Sequence, residues 1–144
     1  MACRAYPCPD ATVNITAGIM PTAVLREEGL PIAIGSDIGG GHFPGIYRQI
    51  GRAVQLSKLK EFFEPGNRRV SFAEAFYMGT VEGGKCFGKI GAFEPGYQFN
   101  ALVLDGLEDE GFPLSAADRL ERFCYIGDDR NITARVIDGE EIVL

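Results

Sequence analysis

The run Pro31-Ile32-Ala33-Ile34 is apolar throughout, with no polar residue alternating through it, and it stops at Gly35-Ser36-Asp37. That pattern predicts a brief strand covered on both faces, as in a parallel sheet. Upstream, residues 19–28 (IMPTAVLREE) read as a short helix that tolerates Pro21 in its first turn and ends at Gly29. Downstream, Ile46, Ile50, Val54 and Leu59 recur near helical spacing, with Arg48, Arg52 and Lys58 among the polar positions. The spacing predicts an amphipathic helix over 46–60. Ser71 and Glu74 stand three apart as a capping box, opening a helix that runs to about Thr80 with Phe72, Ala75 and Phe76 on one side. Helix, glycine, apolar strand and polar tip in succession describe an α/β unit.

The pattern changes near residue 89. A Pro95-Gly96 turn leads to a predicted strand at 101–104, closed by Asp105-Gly106. Ser115 and Asp118 repeat the capping signal before a helix with Leu120, Phe123 and Cys124 on its apolar side. Finally, Asp138-Gly139 between two apolar segments is a strong hairpin signal. Two regions are therefore expected: 1–88 of α/β type, and 89–144 as a small, mainly β region with one helix.

Composition narrows the function classes. The 144 residues suit one ordinary domain, and 46% of them are hydrophobic, enough for a buried core. With a net charge of −6 and scattered basic residues, the chain lacks the clustered Lys and Arg of a nucleic-acid groove. No run approaches the roughly 20 apolar residues of a membrane span. The opening MACRAYPCPD has no apolar core of a signal peptide, so a cytoplasmic location is expected. In that setting Cys3, Cys8, Cys86 and Cys124 read as reduced thiols, and the Asn-Ile-Thr sequons at Asn14 and Asn131 carry no sugar.

Candidate chemistry concentrates after the apolar run. An acidic residue at the C-terminal end of a buried parallel strand is where α/β folds place catalysis, which makes Asp37 the first candidate. The competing role for Asp37 is to bind amides of the loop formed by Gly39, Gly40 and Gly41. His42, the one histidine, reads as a surface or substrate-facing residue more readily than as a metal ligand. The glycine run has no Gly-Lys-Ser/Thr end and is not a P-loop.

The order of segments then becomes specific. CPDATVNITAGIMP, GLPIAIGSDIGGGH, AVQLSKL, FAEAFYMGTVEGGKCFGKIGAFEPGYQFNALVLD and RLERFCYIGDDRN together resemble the C-terminal third of the guanine deaminases, a family of the metal-dependent amidohydrolase superfamily. Gly35-Ser36-Asp37 and the stretch Tyr125 to Asn131 carry the likeness most strongly. The resemblance implies an α/β fold, the C-terminal fragment of a (β/α)8 TIM barrel with zinc at its C-terminal face, followed by a small mainly-β accessory layer. Residues 1–88 would be the last barrel strands and helices, and 89–144 the accessory layer. Asp37 aligns with the family's carboxylate at the end of the eighth strand, a metal ligand and catalytic residue, and His42 would face substrate. In such enzymes a metal brings the pKa of bound water towards about 7 and a carboxylate takes up its proton. Guanine would be the substrate, and xanthine and ammonia the products.

Departures from the family pattern qualify that expectation. The metal-binding histidines would lie upstream of Met1, and Pro7-Cys8-Pro9-Asp10-Ala11-Thr12 stands where the family tends to read His-Cys-Pro-x-Ser-Asn. Asn100 stands where an Asp is common. The chain is accordingly expected to be a fragment, inactive and without stable zinc binding by itself, that self-associates or pairs with an N-terminal portion. The alternative is a non-catalytic binding or assembly module derived from an amidohydrolase tail.

Overall fold

The computed structural model describes residues 5–142. Its longest element is the helix α3 (Ile46–Phe63), which buries Gln49, Ile50, Gly51, Val54 and Ser57 along one face. Three other helices lie against it: α1 (Pro9–Asn14), α4 (Phe72–Tyr77) and α5 (Ala116–Ile126), while α2 (Thr22–Glu27) sends Ala23 into the same core. That core joins Ile32 and Ile34 from the first half of the chain to Leu107, Phe123 and Cys124 from the second.

Local chemistry accounts for most of the helix starts. Pro9 and Asp10 begin α1, where a fixed φ and a negative charge both suit a first turn. Ser71 and Ser115 each accept from the amide three residues on, and Glu74 and Asp118 accept in return from the serine amides, so both expected capping boxes form. Glu74 also receives Arg68 at 2.8 Å, and Arg68 reaches on to Glu27 at 2.6 Å, tying α2 to α4.

The apolar run 31–34 is buried as its composition predicts, but it forms a single bridge rather than a strand of several residues. It runs parallel to residues 5–7: the Ala5 amide donates to Pro31, the Ala33 amide to Ala5 and the Gly35 amide to Pro7, at 3.0–3.1 Å. On its other side Ile34 donates to the carbonyl of Met78, in a π-helical turn (Met78–Glu82) that continues α4. With one short parallel neighbour and a helix on the other edge, the segment lacks the continuous ladder that defines a strand.

The sheet proper is antiparallel, in the order β1 (Ala101–Leu104), β2 (Ile132–Ile137), β3 (Glu140–Ile142). Ala101 pairs with Val136, and the register shifts between Val103 and Leu104. Asp138 and Gly139, with φ of 53° and 83°, turn the β2–β3 hairpin as expected for an Asp-Gly pair. Asn100 accepts from the Asp138 amide through its side-chain oxygen at 2.8 Å, which gives that residue a structural task.

Gly51 is where α3 and α5 come closest, and a Cβ there would sit 2.8 Å from the carbonyl oxygen of Cys124. Gly51→Ala is expected to destabilise the protein by about 1–3 kcal/mol in urea unfolding, because the overlap with backbone outweighs the helix propensity gained. The Arg68 guanidinium and the Ser71 amide and hydroxyl hold the Glu74 carboxyl at about 2, below its ordinary 4.5. Between those values the unfolded chain binds the extra proton, so this stabilisation is full above about pH 4.5 and drains as pH falls towards 2. Unfolding curves at pH 7, 4 and 3 should show Glu74→Gln losing less stability on acidification than the parent.

Candidate active site

Asp37 ends the buried segment in an uncommon conformation. Its φ is +46°, in the left-handed region that asparagine and aspartate tolerate better than other non-glycine residues. The residue is exposed, and its carboxylate accepts no hydrogen bond among the described residues. Its backbone carbonyl instead takes the Gly41 amide at 2.8 Å, closing the glycine loop. Gly40 makes that fold feasible, since a Cβ there would lie 2.7 Å from Asp37 Oδ2. The capping role that competed for Asp37 is thus filled by its main chain, leaving the carboxylate open.

Cys8 lies beside this carboxylate at the end of the neighbouring parallel segment. Burial raises its thiol above the ordinary value, and the negative charge of Asp37 adds to the effect. A thiol so placed stays protonated at neutral pH and is a poor nucleophile.

The far side of the loop is anchored by a buried polar cluster. Gln49, fully buried on α3, accepts from the Asp10 amide at 3.2 Å and donates to Asp10 Oδ2 at 2.9 Å and to the Phe43 carbonyl at 3.0 Å. Arg52 donates from Nε to Asp10 Oδ1 at 2.8 Å. One amide thereby joins the start of α1, the end of the glycine loop and α3. Asn14 adds a further tie, donating to the Gly40 carbonyl at 2.8 Å.

The two candidates do not share a cavity. His42 is exposed, with its ring edge-on to Phe43 at 5.9 Å, and it lines a cleft with Asp10, Arg48, Arg52 and Tyr125; Asp37 does not. No three His, Cys, Asp or Glu side chains among the described residues converge to hold a metal ion. A catalytic zinc takes about three protein ligands, so Asp37 with its neighbour Cys8 does not make such a site. Cys8, Cys86 and Cys124 are free thiols, as expected, while Cys3 lies outside the described residues. Burial, reinforced by Glu121, pushes the Cys124 thiol up to about 12, which removes it from chemistry at neutral pH.

Residues 2–142 match the amidohydrolase family, and the chain is a member of it. That family is metal dependent. Within it, the likeness is to guanine deaminases. The chain is 32% identical to the guanine deaminase of Dictyostelium discoideum, over 94% of this chain and 32% of that protein. It superposes with a TM-score of 0.89 and 41% identity on the guanine deaminase from C. acetobutylicum with guanine bound in the active site, covering 96% of this chain and 33% of that one. An adenosine deaminase from Xanthomonas campestris with bound Zn shares the fold at a TM-score of 0.76 and 20% identity, over 94% of this chain and 31% of that one. The chain therefore spans about a third of the length of the relatives it matches. Its α/β content fits the TIM-barrel architecture of these neighbours.

Sequence reasoning missed α1 and the Asp10–Gln49 pair. Pro9-Asp10 is a helix-start signal that was available to find the first. Nothing local marks Gln49, which looks like any polar position on an amphipathic helix. Gln49→Leu keeps the volume but strands the Asp10 amide, one Asp10 oxygen and the Phe43 carbonyl. It is expected to cost about 2–4 kcal/mol in urea unfolding and to speed amide exchange through residues 38–43.

Proposed function

We propose that this chain is the C-terminal part of a guanine deaminase, a hydrolase that exchanges the exocyclic amine of guanine for the oxygen of water and releases xanthine and ammonia. The observation that carries this reading is Asp37: an exposed carboxylate in a left-handed conformation, free of hydrogen bonds among the described residues, at the end of a buried parallel segment. A left-handed non-glycine residue held open at the end of a buried segment is a feature of functional sites. The segments 5–7 and 31–35 take the part of the last two barrel strands, so that Cys8 and Asp37 stand at the same rim. The sheet β1–β3 with α5, within residues 89–144, takes the part of the accessory layer that follows the barrel.

In this reading Asp37 is the proton-transfer group. Its carboxylate accepts the proton of the attacking water and returns it to the departing nitrogen, so ammonia leaves neutral and the carboxylate is regenerated. Zinc, expected for the whole enzyme, would need ligands beyond Asp37 and Cys8. His42 lines a cleft that Asp37 does not, so the reading rests on Asp37. Phe62, Phe63 and Phe93 are 70–78% exposed, which supports packing of this chain against further polypeptide rather than a surface that stays bare.

The test uses the protein as the source cell makes it, supplied with zinc and guanine, with xanthine followed by absorbance. Conversion is expected, and Asp37→Asn should lower kcat by about 10²–10⁴-fold with an unchanged circular dichroism spectrum. Full activity in Asp37→Asn, or no xanthine from the parent protein, would overturn the proposal.

A further inference from the structure

Three consecutive glycines follow Asp37 and Ile38, and each is small for a different reason. Gly39 has a φ of +113°, a conformation that would strain any side chain. A Cβ on Gly41 would meet backbone, 2.8 Å from the Ser36 carbonyl oxygen and 3.1 Å from the Ala11 amide nitrogen. Gly40 has neither restriction. Its φ is not positive, and the atoms nearest to a Cβ there are side-chain atoms: Asp37 Oδ2 at 2.7 Å, Ala11 Cβ at 3.3 Å and Asp37 Cγ at 3.4 Å.

What the bare α-carbon of Gly40 accommodates is therefore the Asp37 carboxylate. That carboxylate accepts no hydrogen bond among the described residues, so sterics set its direction. The left-handed φ of Asp37 fixes where its Cβ points, and the side chain then lies over Gly40 in one staggered well. The surface beneath it is held in place. The Gly40 carbonyl accepts from Asn14 Nδ2 of α1 at 2.8 Å, and the Gly41 amide donates to the Asp37 carbonyl at 2.8 Å.

We infer that Gly40 is a positioning residue for Asp37: its missing side chain is the seat on which the carboxylate lies, and a methyl group there would drive the carboxylate into another rotamer. The inference rests on the reading of Asp37 as the proton-transfer group. Proton transfer needs hydrogen-bond distance, and a misplacement of about 1 Å lowers a rate by about 10²-fold. The Asp37 side chain is exposed and yields before the loop backbone does, so the effect falls on catalysis rather than on stability.

The protein as the source cell makes it, supplied with zinc and guanine, is compared with its Gly40→Ala variant. We expect kcat to fall by about 10–100-fold, with KM within about threefold of the parent and the urea midpoint little changed. In an Asp37→Asn background Gly40→Ala should remove no further activity, since both changes act through one group. Ala11→Gly, which takes away the other contact, should not restore the rate. A crystal structure of the Gly40→Ala protein reads the placement without activity, with the carboxylate displaced by about 1 Å or more over an unmoved 38–43 backbone. If the parent yields no xanthine, the deaminase reading falls and the crystal structure alone decides the placement. Parental kcat in Gly40→Ala, an equal loss on top of Asp37→Asn, rescue by Ala11→Gly, unfolding of Gly40→Ala, or a carboxylate left in place would overturn the inference.

Discussion

The side-chain amide of Gln49 sits where three pieces of chain meet, and the shape of the candidate site follows from how it is satisfied. It is fully buried, so each of its hydrogen-bonding groups must find a partner inside the protein. Those partners are the amide and carboxylate of Asp10 and the carbonyl of Phe43. Since Asp10 and Phe43 belong to different segments, satisfying one amide ties the α1 start to the end of the glycine loop. Asp37 stands at the other end of that loop, where its carbonyl accepts from the Gly41 amide.

The long helix α3 carries that amide and much else. One face packs on α4 and α5, closely enough that Gly51 touches the Cys124 carbonyl, while Ser57 accepts from the Val70 amide and holds the returning loop. Arg48 and Arg52 face the cleft from the same helix.

The Tyr125 to Asn131 stretch shows how a family-like motif can be structural. Asp128 accepts from the Arg130 amide, Asn131 accepts from Asp128 and donates to the Asp105 carbonyl, and the Tyr125 carbonyl receives Arg48. These bonds join α5 to the end of β1 and to α3. None of them involves Asp37.

Features settled within a few residues were legible in the chain itself. The Ser71 and Ser115 caps and the Asp138-Gly139 turn depend on contacts over three or four positions, and each forms where its pattern places it; the α3 helix forms too, but Leu59, expected on its apolar stripe, is 45% exposed while Gln49 and Ser57 are buried. The exposed carboxylate after Ile34 was legible as a candidate for the same reason. What tertiary structure decided is whatever needs a partner far along the chain: the single bridge in place of a strand at 31–34, the burial of Gln49, and the place of His42 in a cleft that Asp37 does not line. A hydrogen bond spanning 39 residues, as between Asp10 and Gln49, leaves no local periodicity to read. Sequence pattern records which groups must be paired; the fold alone chooses with what.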